Sequence, residues 1–318
     1  MDWSTRIGRR IKLRDLHILQ AAVETGSMAR AAGELAITQP AVSYAIAELE
    51  HALGVPLLER TSQGVTPTVY GQVMLDHSNI VFNELRHGIN EINSLADPSV
   101  GELRIGTTPP MSAIASAVFN TFVPTHPRMT FALTVSGTDV LLAELRRREV
   151  ELVISRLAEF VSDEDLDVRT LFHDELSVIC SKQSKWARKR GVSLADIVDE
   201  PWVFPHAGGF LTKVIKAAFE EQGLSVPRAT VTTQSTYALS VLVANGPFLA
   251  MHPGCMLTMP REHPLLAAVD VRLRKTRGAI GLITLKNRSL SPVAKLFLKA
   301  ATSTVKSIPG DKKGSRSA

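Results

Sequence analysis

The sequence of 318 residues predicts a multidomain α+β protein: an N-terminal winged helix-turn-helix, a long linker helix and a C-terminal two-lobed α/β domain. Three observations predict this class. Apolar residues repeat at helical spacing through the first 55 residues or so. No proline occurs between Thr68 and Ala96. Beyond Pro98, short apolar runs alternate with amphipathic helices, the order that places a mainly parallel sheet between helices.

The segment 27–53 predicts the helix-turn-helix. Ser27 is a candidate N-cap for a first helix, and Thr38 caps a second one that has Pro40 in its first turn. Apolar residues at 4-3-4 spacing must face inward in the second helix: Val42, Ile46, Leu49 and Leu53. Its outward face is then small and polar: Gln39, Pro40, Ser43, Tyr44 and Ala47. Two short helices of this kind are typical of a helix-turn-helix, in which the second helix enters the DNA major groove and reads the bases. The alternative is a helical hairpin that packs within the protein and does not bind DNA.

A hairpin and a long helix follow. Val55 to Arg60 and Val65 to Thr68 flank a turn at residues 62–64 and predict the wing, with Arg60 at its base and placed for a phosphate contact. The helix over 69–97 carries a coiled-coil-like seam: Met74, Val81, Leu85, Gly88, Ile92 and Leu95. The seam favours dimerisation, because one reading helix covers too few bases to specify a site. Packing of the seam on the chain's own domains is the alternative.

The α/β region predicts a ligand cleft. Ligands of open α/β sheets bind beyond the carboxyl ends of the strands, here between two lobes whose crossovers fall near Leu171 and Arg277. The candidate effector-binding residues follow predicted strands: Thr107, Thr108, Met111, Ser136, Thr138, Ser155, Arg156, His206, Thr233, Gln234 and His252. Arg156 suits a carboxylate, although a solvated loop charge is equally compatible with its position. The alternative for the serine and threonine candidates is that they cap helices and do not contact a ligand.

Several short motifs within residues 11–71 point to one family. They include Arg30-Ala31-Ala32, the run Gln39-Pro40-Ala41-Val42-Ser43, and Leu53-Gly54. This stretch closely resembles the LysR-type transcriptional regulators. The resemblance implies a type 2 periplasmic-binding-protein fold for the effector domain, and a homotetramer built as a dimer of dimers. It also implies double-stranded promoter DNA, a small-molecule effector such as a small organic acid, and RNA polymerase as partners.

The resulting domain prediction has four parts. Residues 1–68 form the DNA-binding domain and 69–97 the linker and dimerisation helix. The effector domain covers 98–305, with lobe 1 at about 98–171 and 278–305 and lobe 2 at about 172–277. Residues 306–318 are expected to be a disordered tail. The candidate DNA-binding residues are Ser27, Arg30, Thr38, Gln39, Pro40, Ser43, Tyr44, Arg60, Arg6, Arg9 and Arg10.

Charge is the weakest support for DNA binding. Residues 1–70 hold seven basic and seven acidic side chains, although the whole chain has a net charge of +5. Tyr44 and Ala47 stand where many relatives have basic or amide side chains. The reading helix should therefore make few phosphate contacts. We expect Arg6, Arg9 and Arg10, which crowd the start of the chain, to supply them instead.

Other function classes are less compatible with the sequence. The start lacks the apolar core of a secretory signal, no apolar run reaches 18 residues, and two cysteines make no disulfide framework, so we expect a cytoplasmic protein without a membrane partner. No metal-ligand spacing or nucleophile–base set emerges, so we expect no enzyme, metal or cofactor. We expect Cys180 and Cys255 to be buried small residues, with redox sensing as the alternative. The rival function is a solute-binding receptor or enzyme on the binding-protein fold, with an N-terminal interaction module.

Overall fold

The computed structural model describes residues 10–61, 64–157, 163–206, 210–257 and 264–306. The chain divides into two compact units, one up to Gly88 and one from Ile89 onward, and each is described by itself. Within the described residues, no helix combines the length and the apolar character needed to cross a membrane. Arg6, Arg9 and the tail after residue 306 lie outside the described residues.

The first unit is a three-helix domain with a wing. Its helices are α1 (Leu13–Glu24), α2 (Met28–Glu34) and α3 (Gln39–Leu53), and its hairpin pairs β1 (Leu58–Thr61) with β2 (Gly64–Pro67). The core side chains of α1 and α3 are fully buried: Leu19, Val42, Ile46 and Leu49. The capping prediction is confirmed, because the Ser27 side chain accepts the N–H of Arg30 and the Thr38 side chain accepts the N–H of Ala41.

The wing lies against the turn between α1 and α2. The backbone N–H of Val65 donates to the carbonyl of Gly26 at 3.1 Å. A Cβ at position 64 would lie 2.5 Å from that same carbonyl oxygen, and Gly64 has φ +131°. Only glycine therefore allows this approach of the hairpin.

Helix α4 (Val69–Ala96) is the predicted linker helix and has 28 residues. Its first turns belong to the first unit, where Leu75 is buried and Met74 packs against the domain core. The helix from Ile89 onward belongs to the second unit, where the side chain of Asn90 accepts the backbone N–H of Glu102 at 3.0 Å and donates to its carbonyl at 2.6 Å.

Lobe 1 of the second unit has a five-stranded sheet in the order β4-β3-β5-β12-β6. The strands are β3 (Gly101–Thr107), β4 (Met129–Val135), β5 (Leu152–Arg156), β6 (Leu166–Asp174) and β12 (Gly278–Leu285). Strands β3, β4 and β5 are parallel, as the alternation of apolar runs and helices predicts, and β12 pairs antiparallel with β5 and β6. Helices α5 (Ser112–Phe122) and α10 (Pro292–Lys306) pack against each other and contribute to one buried cluster, whereas α6 (Thr138–Arg146) contributes to another.

Lobe 2 has a second five-stranded sheet in the order β11-β7-β10-β8-β9. The strands are β7 (Leu176–Ser181), β8 (Trp202–Phe204), β9 (Ala229–Thr232), β10 (Leu249–Pro253) and β11 (Leu266–Ala268). Helix α7 (Phe210–Glu220) packs with Trp202 in one cluster, and α8 (Thr236–Asn245) packs in another. The short helix α9 (Gly254–Leu257) places Cys255 in the lobe 1 cluster.

The sequence pattern does not reveal two of these strands, β6 and β11. A bulge interrupts β6, because Phe172 pairs with Ile280 while Thr170 pairs with Gly281, so Leu171 is skipped and the period-two pattern breaks. Strand β11 has only three residues, too few for an alternating pattern, and is defined by its antiparallel pairing with β7. We call β6 and β12 the crossover strands, since the chain passes between the lobes after β6 and before β12.

Candidate functional sites

The outward face of α3 is the candidate DNA surface. Gln39, Pro40, Tyr44 and Ala47 are exposed, and Ser43 is half-buried. Tyr44 is the largest apolar side chain on this face, and 67% of its surface is exposed. The opposite face is fixed by fully buried Val42, Ile46 and Leu49, so the orientation predicted from the 4-3-4 spacing is confirmed.

The candidate basic side chains lie on other elements of the same domain. Arg30 on α2 and Arg60 on β1 are exposed, and so is Arg10 ahead of α1. The position predicted for Arg60 was wrong: it pairs with Val65, one step from the terminal pair Thr61–Gly64, and so lies near the tip of the wing rather than at its base. Both strands extend closer to the loop than its composition predicted, since Thr61 pairs with Gly64.

Sequence reasoning did not select Lys12 and Arg14 as site residues, although both are exposed at the start of α1. Arg14 is 76% exposed and its Nε lies 3.6 Å from a carboxylate oxygen of buried Asp15. Their place in the arginine-rich start was the available indication.

The seam of α4 is exposed over its second half. Val81, Leu85, Ile92 and Leu95 have 42, 45, 66 and 73% of their surfaces exposed, and Ile89 between them has 61%. Met74 is the exception, because it packs on the core of the first unit. Apolar side chains in the first turns of the helix are exposed as well, namely Val69, Tyr70 and Val73, although they lie outside the predicted seam.

The candidate effector residues of lobe 1 converge at the carboxyl ends of β3, β4 and β5. The Thr107 hydroxyl donates to the carbonyl of Ile154 at 3.1 Å, and the backbone N–H of Ser136 donates to the carbonyl of Thr107 at 3.1 Å. The hydroxyls of Thr138 and Ser155 lie 3.3 Å apart. Thr108, Ser136 and Thr138 are half-buried, whereas three others are almost fully buried: Thr107, Met111 and Ser155.

The lobe 2 candidates lie at the carboxyl ends of its own strands. The backbone N–H of Thr233 donates to the carbonyl of Phe204, and the Thr233 hydroxyl accepts the N–H of Ser235 at 3.1 Å. Gln234 and His206 are exposed. His252 is only 4% exposed, with Nδ1 3.3 Å from the carbonyl oxygen of Pro253.

Arg156 is held in a way that the sequence did not predict. It is 8% exposed, and its Nη2 donates to the carbonyl oxygens of Asp174, at 3.3 Å, and Thr276. Asp174 ends the first crossover strand, and Thr276 precedes the second. Burial lowers the pKa of the Arg156 guanidinium, and the nearby Asp174 opposes that effect. Arg156 thus connects lobe 1 to both crossovers.

Described residues of both lobes line two of the cavities. One, of about 430 Å³, is lined mainly by apolar and hydroxyl groups from α5 and α8, including Ser112, Ser116 and Tyr237. The other, of about 930 Å³, is lined by Arg156, Phe210 on α7 and both crossovers. We call it the crossover cavity. Its basic lining residues are Arg156, His173, Lys213, Lys275 and Arg277.

Comparison with known proteins agrees with this architecture. Residues 13–72 match the family model described as a bacterial regulatory helix-turn-helix protein of the lysR family. Residues 96–306 match the model of the LysR substrate binding domain. Both matched segments correspond to parts of the chain that carry the candidate sites.

Relatives and solved structures match over nearly the whole length. The HTH-type transcriptional regulator GbpR of Azospirillum brasilense is 29% identical over 293 residues, covering 92% of this chain and 86% of the relative. The regulator TdcA of Escherichia coli (strain K12) is 29% identical, covering 91% of this chain and 92% of the relative. The crystal structure of full-length CbnR with its target DNA has a TM-score of 0.71 at 20% identity, covering 92% of this chain and 100% of that one. The structural match shows the shared fold.

Proposed function

The chain belongs to the LysR family of transcriptional regulators, and we propose that it reads promoter DNA with the exposed face of α3. The observation that carries this proposal is the capped start of α3, where exposed Gln39 and half-buried Ser43 stand on the side opposite a fully buried apolar stripe. Gln39 and Ser43 would bond base edges, and Pro40 and Tyr44 would contact thymine methyl groups.

The remaining candidate residues would position the domain on the DNA backbone. Ser27 and Thr38 stand at helix N-termini, where hydroxyl and backbone N–H groups can bond phosphates. Arg30 follows Ser27 by three residues, Arg10 precedes α1, and both are exposed. Arg60 near the wing tip would reach the neighbouring phosphates or the minor groove. Arg6 and Arg9 complete this proposed set.

We propose the domain division of 1–68, 69–97 and 98–305, with two effector lobes. The exposed apolar side chains of α4 support self-association through that helix. A dimer would present two reading helices to two half-sites, and a dimer of dimers would bind a longer promoter region in the cytoplasm and contact RNA polymerase.

Effector control would operate between the two lobes. The converging hydroxyls and backbone groups after β3, β4 and β5 face the carboxyl-end edge, where α/β domains bind ligands. A small organic acid bound there would favour one arrangement of the lobes, and only its difference in affinity for the two arrangements would shift the equilibrium.

The test uses the full-length protein and DNA from directly upstream of its own gene, where we expect autoregulation. Gln39→Ala and Ser43→Ala should each lose about 1–3 kcal/mol of discrimination between this DNA and random DNA in gel-shift titrations. Gln72→Ala, an exposed glutamine on α4, is the matched control and should leave the discrimination unchanged. Equal losses on promoter and random DNA would contradict base reading by α3. A solute receptor, the rival function, would bind small molecules without shifting this DNA.

A further inference from the structure

Lobe 2 carries a dense group of basic side chains on two segments of the chain. Residues 185–190 hold four basic side chains and no acidic one, and residues 271–275 hold three and no acidic one. All seven are exposed: Lys185, Arg188, Lys189, Arg190, Arg272, Arg274 and Lys275. We call these two segments the lobe 2 basic surface. The positive excess of the chain thus lies in part on lobe 2, whereas the charges of residues 1–70 cancel.

Backbone contacts hold the two segments side by side. Val192 and Val271 form a parallel bridge, and the backbone N–H of Val192 donates to the carbonyl of Asp270 at 3.0 Å. The backbone N–H of Gly191 donates to the Asp270 carboxylate at 3.1 Å. Trp186 and Val192 are buried in the core of lobe 2. The backbone that carries the positive charges is therefore part of the packed fold, and docking a partner here orders few additional groups.

The lysines of this surface already have partners. Nζ of Lys185 and Nζ of Lys189 lie 4.7 and 4.8 Å from the ring centroid of Trp186, which attracts both ammonium groups. Nζ of Lys185 is also 2.8 Å from a carboxylate oxygen of Glu200. Nζ of Lys275 lies 2.6 Å from a carboxylate oxygen of Glu221. These carboxylates neutralise two of the three lysines in part.

Three arginines of the surface have no ion pair within the described residues. No carboxylate oxygen of this part of the chain lies within 4.0 Å of the guanidinium of Arg188, Arg272 or Arg274. The only contact of Arg190 is long, since its Nη1 lies 4.0 Å from the Asp270 carboxylate. A guanidinium presents a planar fork of donors that matches a carboxylate with two parallel hydrogen bonds. Three such forks on adjoining segments are therefore available to the carboxylates of a partner.

A groove opens beside the second segment. It has a volume of about 730 Å³, and its walls are residues 270–275 and the start of β7. Arg272 and Arg274 line this groove, and so do two acidic residues, Glu175 and Asp270. A concave site of this size can admit a few side chains of a partner protein.

The carboxylates of the groove favour a protein over DNA as the partner. Duplex DNA carries one negative charge for about every 1.7 Å of its axis. Such a continuous array would meet Glu175 and Asp270 as well as the arginines. An acidic protein segment places its carboxylates at separate positions, so it can pair with the arginines and avoid the acidic side chains.

We propose that the lobe 2 basic surface docks an acidic segment of a partner protein, whose carboxylates pair with Arg188, Arg272 and Arg274 and whose side chains enter the groove. The surface shares no residue with the outward face of α3, so this inference goes beyond the proposed reading of DNA. Ion pairs between exposed side chains are individually weak and are screened by salt. The contact should therefore be reversible and tightest at low ionic strength.

The experiment measures the binding of fluorescein-labelled decaglutamate to the full-length protein by fluorescence anisotropy. Decaglutamine with the same label is the control for charge. Decaglutamate should bind about tenfold or more tightly than decaglutamine, and the difference should shrink as the salt concentration rises. A photoreactive group at the centre of decaglutamate should form cross-links to residues 185–192 or 270–275, which mass spectrometry of the digested protein locates.

Variants with an equal loss of charge separate this surface from general attraction. Arg272→Gln combined with Arg274→Gln should weaken decaglutamate binding on the order of tenfold, because two arginine–carboxylate pairs are lost. Arg169→Gln combined with Arg228→Gln removes two exposed arginines elsewhere in the effector domain and should leave the affinity nearly unchanged. Arg188→Gln, on the first segment, should weaken binding by itself.

Equal affinities of the two double variants for decaglutamate would overturn the proposal, and so would cross-links confined to other parts of the chain. Failure of decaglutamate to bind more tightly than decaglutamine would also overturn it. Random-sequence duplex DNA is titrated against the same variants. A greater loss of affinity for this DNA than for decaglutamate in the Arg272→Gln, Arg274→Gln variant would assign the surface to nucleic acid instead of a protein.

Discussion

The carboxylate of Glu50 accepts a hydrogen bond from the backbone N–H of Leu57, with Oε1 2.8 Å from the nitrogen. The same oxygen accepts the N–H of Leu58 at 3.2 Å. Glu50 lies in the last turns of α3, and Leu58 begins the first strand of the wing. One acidic side chain therefore connects the proposed reading helix to the proposed wing.

Replacing Glu50 with alanine should destabilise the DNA-binding domain. The change leaves two N–H groups without their acceptor, at a place where Leu57 is 1% exposed, and an unsatisfied buried donor costs about 1–3 kcal/mol. Chemical denaturation should show this loss in the free energy of unfolding, and promoter affinity should fall with it. Glu48→Ala, at an exposed position of the same helix, is the control. Equal stability of the two variants would contradict the connecting role.

Replacing Ile92 with glutamate should weaken self-association through α4. Ile92 is 66% exposed within a row of exposed apolar side chains, and a charge there would have to be buried in any helix–helix interface. Analytical ultracentrifugation over a range of concentrations should show a shift toward the monomer. Asn93→Glu adds the same charge at the next exposed position and should shift the distribution far less. An unchanged distribution for Ile92→Glu would place the interface elsewhere.

The helix-turn-helix was predictable because its determinants are local. Ser27, Thr38 and the buried stripe of α3 lie within about thirty residues, so spacing alone indicated both caps and the outward face. The site in the second unit was only partly predictable. The position of a residue just after a predicted strand indicated which side chains come together. It did not indicate that Thr107 and Ser155 would be almost fully buried.

Arg156 illustrates what sequence patterns leave out. Its carbonyl partner at Thr276 lies 120 residues away along the chain, and its room depends on Gly278 in another strand. The bulge that interrupts β6 is likewise set by pairing with β12. Contacts between residues far apart in the chain determine the roles of these side chains. The spacing of apolar residues along a short segment does not indicate such contacts.

The two cysteines should react slowly in the native protein. Burial raises the pKa of both the Cys180 and the Cys255 thiols, and Asp174 raises that of Cys255 further. Because the thiolate is the reactive form, labelling with a thiol reagent at pH 8 should be much slower in the native than in the denatured chain. Mass spectrometry of timed aliquots gives both rates. Rapid native labelling of either residue would restore the redox-sensing alternative.

Replacing Arg6, Arg9 and Arg10 together with alanine should lower affinity for all DNA sequences. Each lost phosphate contact should reduce the slope of log affinity against log salt concentration by about 0.9. Fluorescence anisotropy at several salt concentrations measures the slope. A control that removes Arg188, Arg190 and Arg272, all exposed in lobe 2, takes away the same charge and should leave the slope nearly unchanged. An unchanged slope in the first variant would exclude the N-terminal arginines as backbone anchors.

Asp174 should make the effector domain less stable as the pH rises from acid to neutral. Burial raises the pKa of its carboxyl group, and the hydrogen bond from the backbone N–H of Cys255 and the charge of Arg156 only partly oppose this. A carboxyl whose pKa is higher in the folded than in the unfolded chain binds more protons when folded. Its contribution to stability is complete below the unfolded pKa, about 3.9, and is lost as the pH rises through the folded pKa.

Asp174→Asn isolates this effect, because the amide oxygen can still accept the N–H of Cys255, which lies 2.9 Å from Oδ1. The variant should gain stability relative to the unmodified protein as the pH increases from about 4 to 7, since the cost of ionising a buried carboxyl is absent. Urea denaturation across this range measures the difference in the free energy of unfolding. Asp167→Asn, an exposed position on the same strand, controls for the loss of charge. If the Asp174→Asn difference stays constant with pH, the carboxyl ionises equally in the folded and unfolded chains, and an ion pair with Arg156 must compensate for its burial.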